Sequence, residues 1–240
     1  MKITIQTPHL TVIDDFLSDI EFASLATSLQ FLSYRSMHSK GWVKAYGLPS
    51  AAVLQSELAT RGIVDSTPPG MSLVGNLVER IAQPDEALQS HYPQGITGKR
   101  ATVTGRIVLS GVGAGLNWHN DAESLLGAYV FYGHPRWGSS WGGELLVLAD
   151  GEAGDQGRPE SPGRQPRQVI GDVGPDFMLD VSAEQYRNSI GHGTFVSARP
   201  NRLVLLTSRV HHRVTPVTPS AGDQPRAAVV GFFVSDANPS

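Results

Sequence analysis

Three residues of this chain have the types and spacing to hold a metal ion. His119 and Asp121 lie one residue apart in Trp118-His119-Asn120-Asp121, and His212 follows 91 residues beyond Asp121. On an extended strand, residues i and i+2 point to the same face, so His119 and Asp121 can reach one ion together. Aspartate offers an anionic oxygen, and neutral histidine offers a nitrogen of intermediate softness. Two imidazoles and one carboxylate on one side of a metal form the facial triad of non-haem Fe(II) centres, which leaves the opposite side open for a cosubstrate and dioxygen. An H-x-D pair alone is a frequent accident, and its bland reading is a loop histidine beside a solvated aspartate. The second histidine, and Arg226 at the start of the next apolar run, lift the pair above that reading.

Composition narrows the chemistry. The chain of 240 residues has no cysteine, which excludes disulfides, thiolate zinc sites, iron–sulfur ligation and a cysteine nucleophile. Any metal must be held by His, Asp or Glu. The formal net charge is −3 and no dense basic run occurs, so nucleic acid is not an expected partner. The N-terminal Met1-Lys2-Ile3-Thr4-Ile5 lacks the apolar core of a signal peptide, and no apolar run reaches membrane-spanning length. A soluble cytoplasmic protein is the expectation.

The elements that must position these residues divide the chain in two. Residues 1–100 read as a mixed, helix-rich support region of one domain spanning 1–240. Ser18 or Asp19 can N-cap a helix bearing Phe22, Leu25, Ala26 and Leu29. Residues 33–50 read as irregular chain or a short hairpin, Ser50 to Arg61 as a short helix stopped by Gly62, and Met71 to Ile81 as a helix. From residue 101 the pattern changes to short runs rich in β-branched residues between Gly, Pro and Asn: Ala101–Ser110, Leu125–Tyr132, Glu144–Ala149, Phe177–Val181, Thr194–Ala198, Arg202–Thr207, His212–Val217 and Ala227–Ser235. These predict a double-sheet jelly roll over 101–240, mostly β, cupin-like and flanked by helices. A Gly/Pro-rich insertion around 150–190 interrupts it.

In order and strand placement, these residues resemble the Fe(II)- and 2-oxoglutarate-dependent dioxygenases, specifically the prolyl-4-hydroxylase-like branch. The matching residues are His119-Asn120-Asp121, Trp141-Gly142-Gly143-Glu144-Leu145, the apolar Leu203–Leu206, His212-Arg213-Val214-Thr215-Pro216-Val217, and Arg226. Val12-Ile13-Asp14-Asp15-Phe16-Leu17 is similar to the opening strand and helix of that branch. The resemblance implies that His119, Asp121 and His212 bind Fe(II), and its frame selects His212 over His211. It implies that Arg226 meets the distal carboxylate of 2-oxoglutarate, with Tyr132 touching the same group. A planar, always charged guanidinium suits that task on independent grounds. Arg213 is the competing arginine, but as the neighbour of a ligand it should face the other way. Relatives often place a tyrosine on the strand before H-x-D; here the equivalent is Leu109.

The implied reaction decarboxylates 2-oxoglutarate to succinate and carbon dioxide with dioxygen while an unactivated C–H bond is oxidised. Asp121 occupies the position that halogenating relatives leave to a halide, which favours hydroxylation. The substrate is expected to be a small molecule or of amino-acid type, with a peptidyl prolyl-type hydroxylase as the alternative. Contacts are expected from residues 33–48, Trp118, Asn120, Tyr129, Trp137 to Trp141 and the insertion. His91, His134 and His192 read as exposed loop histidines. The rival classes are a non-catalytic jelly-roll binding module, a zinc hydrolase, and a nucleic-acid demethylase. The last is disfavoured because Ala227-Ala228, and no second arginine, follow Arg226.

Overall fold

The computed structural model describes residues 1–37, 53–60, 71–96, 101–119, 121, 125–148, 191–208 and 210–235. The larger of two antiparallel sheets holds β1 (Lys2–Gln6), β2 (Leu10–Asp14), β3 (Arg35–Ser36), β4 (Val53–Gln55), β5 (Ala59–Thr60), β6 (Ala101–Ser110), β8 (Leu125–Tyr132), β11 (Leu203–Thr207) and β13 (Arg226–Ser235). Its order is β1-β2-β11-β8-β13-β6-β4-β3, with β5 also on β6. The smaller sheet holds β7 (Leu116–His119), β9 (Leu145–Leu148), β10 (Gly193–Val196) and β12 (His212–Val214), in the order β10-β9-β12-β7. This is the jelly roll that the strand pattern predicted. No described helix is long and apolar enough to cross a membrane.

Each face of the larger sheet has its own core. Outward residues such as Ile13, Val103, Ile107, Phe131, Leu203, Leu205 and Val229 pack against α1 (Asp19–Ser28) and α2 (Met71–Ala82). Inward residues such as Val12, Tyr132, Val204, Leu206 and Ala228 pack against Leu145, Val147 and Val196 of the smaller sheet. Burial on both faces is why β11 reads Leu-Val-Leu-Leu without polar alternation. Truncating Leu205 to alanine would cost about 2–5 kcal/mol.

Ser18 is the N-cap of α1. Its hydroxyl accepts from Glu21 N while the Glu21 carboxylate accepts from Ser18 N, a reciprocal capping box. Immediately before it, buried Asp14 takes Arg202 in a two-pronged pair (2.6 and 3.0 Å) and Arg199 at 2.6 Å. Asn201, at φ 58°, accepts from Leu17 N and donates to Leu17 O. This clamp locks the opening strand and helix to the turn before β11.

The expected helix over Ser50–Arg61 is overturned where the chain is described. Val53–Gln55 pairs with β6 as β4, and Ala59–Thr60 pairs with β6 as β5. Partners distant in sequence decide this, overriding the local pattern. Strand β7, which carries His119, alternates apolar and polar residues over only four positions, too short a run for the sequence to single it out. The expected Phe177–Val181 strand, the 150–190 insertion and Asn120 lie outside the described residues.

Candidate active site

The three candidate metal-ligand residues converge. His119 ends β7 and His212 opens β12, and the two are directly opposite in the ladder. The register shifts between His212 and Val214, a bulge of the kind that re-aims side chains beside active sites. The two rings lie 4.2 Å apart, centroid to centroid. Ligating atoms of His119, Asp121 and His212 all lie within 4.8 Å of one another. Two nitrogens and one carboxylate oxygen this close on one face fit a facial triad.

Their electrostatics fit a cation as well. The buried oxygen Oδ2 of Asp121 has no hydrogen-bond partner among the described residues. Burial pushes the Asp121 carboxyl above the usual carboxylate range, and the charge of His119 only partly opposes it. A buried carboxylate left in that state is costly unless a positive charge joins it. His212 Nδ1 sits 2.9 Å from the carbonyl oxygen of Val210. A carbonyl only accepts, so Nδ1 carries the proton and Nε2 presents its lone pair. Burial lowers the His212 pKa, which keeps the ring in the neutral form that ligates metals.

Arg226 opens β13 opposite Ser110 of β6 and is buried. Its Nη1 donates to Gly143 O at 3.0 Å. Gly142 and Gly143 adopt φ of 76° and 73°, so this turn requires glycine. A Cβ on Gly142 would fall 2.1 Å from Pro216 O, and one on Gly143 2.7 Å from Arg226 Cδ. The Gly-Gly-Glu motif thus seats the arginine as well as starting β9. Tyr132 is fully buried on the same interior face, and its Oη has no hydrogen-bond partner among the described residues. Burial, opposed by the charges of Arg226 and Arg202, raises its pKa, so the phenol remains a donor.

His134 is not an exposed loop histidine. It is 3% exposed, with Nε2 2.7 Å from Ala198 O and Nδ1 3.1 Å from Ala227 O. Its ring lies against Tyr132 and, at 4.7 Å, against Trp137. Trp137 Nε1 donates to Gly142 O at 2.8 Å, and Trp141 packs edge-on against Trp137. These aromatics therefore build the floor beneath Arg226. No sequence signal gave this, because Gly133 and Pro135 make His134 look like loop.

Other expected contacts face elsewhere. Trp118 projects from the outer face of the smaller sheet, where the Arg213 guanidinium lies 5.7 Å from its ring centroid, so Arg213 does point away from the ligands. Trp118 lines an outer cavity of about 330 Å³ with Leu146, Leu148 and Phe195. Tyr129 packs on the helix side and donates to Thr104 O at 2.9 Å. Leu109 likewise packs toward the helices, leaving Ser110 as the inward residue opposite Arg226. His192 is exposed, as expected.

A sequence profile of the 2OG-Fe(II) oxygenase superfamily matches residues 105–234. No curated protein matches the sequence. Among solved structures, the chain is similar to a prolyl-4-hydroxylase from Pseudomonas putida at 14% identity and TM-score 0.58, covering 95% of this chain and 92% of that one. It is similar to a Trichoplax adhaerens prolyl hydroxylase in complex with a hypoxia inducible factor peptide fragment, at 14% identity and TM-score 0.60, covering 98% and 88%. It is also similar to HygX from Streptomyces hygroscopicus with nickel, 2-oxoglutarate and hygromycin B bound, at 12% identity and TM-score 0.51, covering 95% and 83%.

Proposed function

Because the chain belongs to the 2OG-Fe(II) oxygenase superfamily, whose members use Fe(II), 2-oxoglutarate and dioxygen, we propose that His119, Asp121 and His212 hold the iron and that the enzyme hydroxylates an unactivated C–H bond of a small-molecule or amino-acid-type substrate. The observation that carries this reading is the convergence of the three ligating atoms within 4.8 Å of one another. When bound, iron with 2-oxoglutarate supplies the oxidising chemistry: one oxygen atom of dioxygen enters succinate, the other enters the substrate as hydroxyl, and carbon dioxide leaves.

The chain's own residues bind, orient and shield. The guanidinium of Arg226 pairs with the distal carboxylate of 2-oxoglutarate, and Tyr132 Oη donates to the same carboxylate. Trp137 Nε1 donates to the Gly142 carbonyl, and the His134 ring sits between the Ala198 and Ala227 carbonyls beside that arginine. Val204, Val214, Val230 and Leu145 line the interior, which excludes water from the reacting groups. Asp121 fills the third ligand position, which supports hydroxylation over halide transfer.

The test is anaerobic. Wild-type protein with Fe(II) and 2-oxoglutarate is expected to show the weak visible charge-transfer band of the chelate. Asp121→Ala and His212→Ala are expected to lose it, and unchanged metal binding in both would overturn the assignment. Arg226→Gln should keep Fe(II) while binding 2-oxoglutarate roughly a hundredfold more weakly, the scale of a truncated buried charge pair.

A further inference from the structure

The interior face of the larger sheet is laid out in rows. One row crosses it through Val12, Val204, Val130, Val230 and Arg106, each paired with the next. The first four are apolar and pack into the jelly-roll interior. The fifth is a half-buried cation. Arg106 Nη1 donates to Gln55 Oε1 at 2.7 Å, and Gln55 lies opposite Val108 on the same face. Among the described residues no carboxylate pairs with Arg106, whereas Arg202 on the same face is matched by Asp14.

The height of Arg106 in the barrel follows from register. Ser110 is opposite Arg226, and Arg106 is four residues further along β6. Gly143 receives the Arg226 bond, and Val147, opposite His212, is four residues further along the smaller sheet. On β6 this step is roughly 13 Å at about 3.3 Å per residue; on the smaller sheet the chain leaves the Gly142–Gly143 turn, enters β9 at Leu145 and reaches Val147 two strand residues later. Arg106 on one sheet and His212 on the other therefore both stand away from the Arg226 end, on the inner faces of the two sheets.

We propose that Arg106, with Gln55, binds a carboxylate of the substrate, so that the enzyme acts on an organic acid whose oxidisable carbon lies between this anion and the ligand cluster. This rests on the iron assignment above. The Gln55 oxygen is committed to Arg106, so the pair offers N–H donors to a ligand. A carboxylate is acceptor-only and matches the guanidinium fork in two bonds. A cation facing an apolar interior with a neutral amide as its partner has more to gain from such an anion than a surface arginine has.

The experiment uses the protein with Fe(II), 2-oxoglutarate and air. It tests amino acids, N-acetyl amino acids and short aliphatic acids, each against its own carboxamide. The readout is succinate formed above the substrate-free rate, with the anaerobic charge-transfer band as a control for the iron–cosubstrate site. At least one acid is expected to stimulate, with its amide roughly tenfold weaker or worse. Arg106→Gln should lose that stimulation by a similar factor while keeping the band, and Arg106→Lys should recover part of it. The proposal is overturned if amides equal acids, if Arg106→Gln responds like wild type, or if no acid stimulates although the band forms. Absence of the band in wild-type protein overturns the iron assignment instead.

Discussion

Buried Asp14 and half-buried Asp121, which has one fully buried carboxylate oxygen, lie in opposite electrostatic circumstances. Burial pushes the Asp14 carboxyl up, but the Arg202 hydrogen bonds and the Arg202 and Arg199 charges overcome it and hold it below its ordinary 3.8. Asp121 is pushed up by burial and only partly relieved by His119, and one of its oxygens has no hydrogen-bond partner among the described residues. The first cluster is closed on itself: every charge has its counter-charge within the chain, and its product is the joint between the opening strand and β11. The second is incomplete in its own atoms and becomes favourable when a cation is added. A satisfied polar cluster reads as architecture, and an unsatisfied one reads as a site.

The largest expected effect breaks the open cluster. Asp121→Ala should lower succinate formation by roughly 10³-fold, about 4 kcal/mol at the barrier. The metal-free protein should unfold at the same denaturant concentration as wild type or a higher one, because a buried charge without a bonded partner has been removed. Marked destabilisation would place Asp121 with the closed clusters and sink the contrast.

Asp14→Ala should show the inverse. Breaking a buried, paired carboxylate costs about 3 kcal/mol, and Arg202 is left facing the protein interior. The folded fraction should still develop the Fe(II)–2-oxoglutarate band. The acid limb sharpens this. A carboxylate with a depressed folded pKa contributes stability above its unfolded value near 3.8 and loses it as pH falls through the folded one. The unfolding free energy of wild type should therefore drop below about pH 4 more steeply than that of Asp14→Asn.

His134 extends the comparison to the floor of the site. Burial, reinforced by the charge of Arg226, lowers its pKa from 6.5 to about 4 although two carbonyls oppose the shift. Its folded pKa is below its unfolded one, so the unfolded chain takes up the proton first and stability is lost as pH falls from about 6.5 to about 4. The loss is on the order of 3 kcal/mol, since each pKa unit is worth about 1.4 kcal/mol. His134→Asn should flatten that window, which lies above the Asp14 one, and should also raise the KM for 2-oxoglutarate several-fold. Equal slopes in the two proteins would mean that His134 is not held neutral by the fold.

The closed parts of the molecule were more legible than the open ones, for physical reasons. The bounds expected for β6 and β8 coincide with those observed, because runs of β-branched residues in β6 and of apolar and aromatic residues in β8, set between turn residues, signal a strand whatever its neighbours. The triad and Arg226 were legible through residue type and order. β4 was not, because three residues cannot carry a periodic pattern and its partner lies more than fifty residues away. Trp118 is suggested as a substrate contact by its place beside His119 and Trp141 by its aromatic character, and neither ground says which way a ring faces. Trp118 lies on the outer face of its sheet, and Trp141 supports the Arg226 floor. Arg106 escapes notice because β6 turns its most regular apolar face to the helices, so the alternate face that carries Arg106 reads as solvent-facing.

The smallest expected effect is the most discriminating about the closed and open classes. Tyr132→Phe removes one hydroxyl from a fully buried ring whose Oη has no hydrogen-bond partner among the described residues. If the hydroxyl serves bound 2-oxoglutarate, its loss should weaken 2-oxoglutarate about fivefold, the roughly 1 kcal/mol of a single net hydrogen bond. Metal-free stability should stay level or rise slightly, because a buried, unmatched polar group has gone. Isothermal denaturation with and without saturating 2-oxoglutarate and Fe(II) separates the two terms in one protein. A stability loss in the ligand-free protein, with unchanged 2-oxoglutarate affinity, would show that Tyr132 belongs to the architecture and that Arg226 alone meets the distal carboxylate.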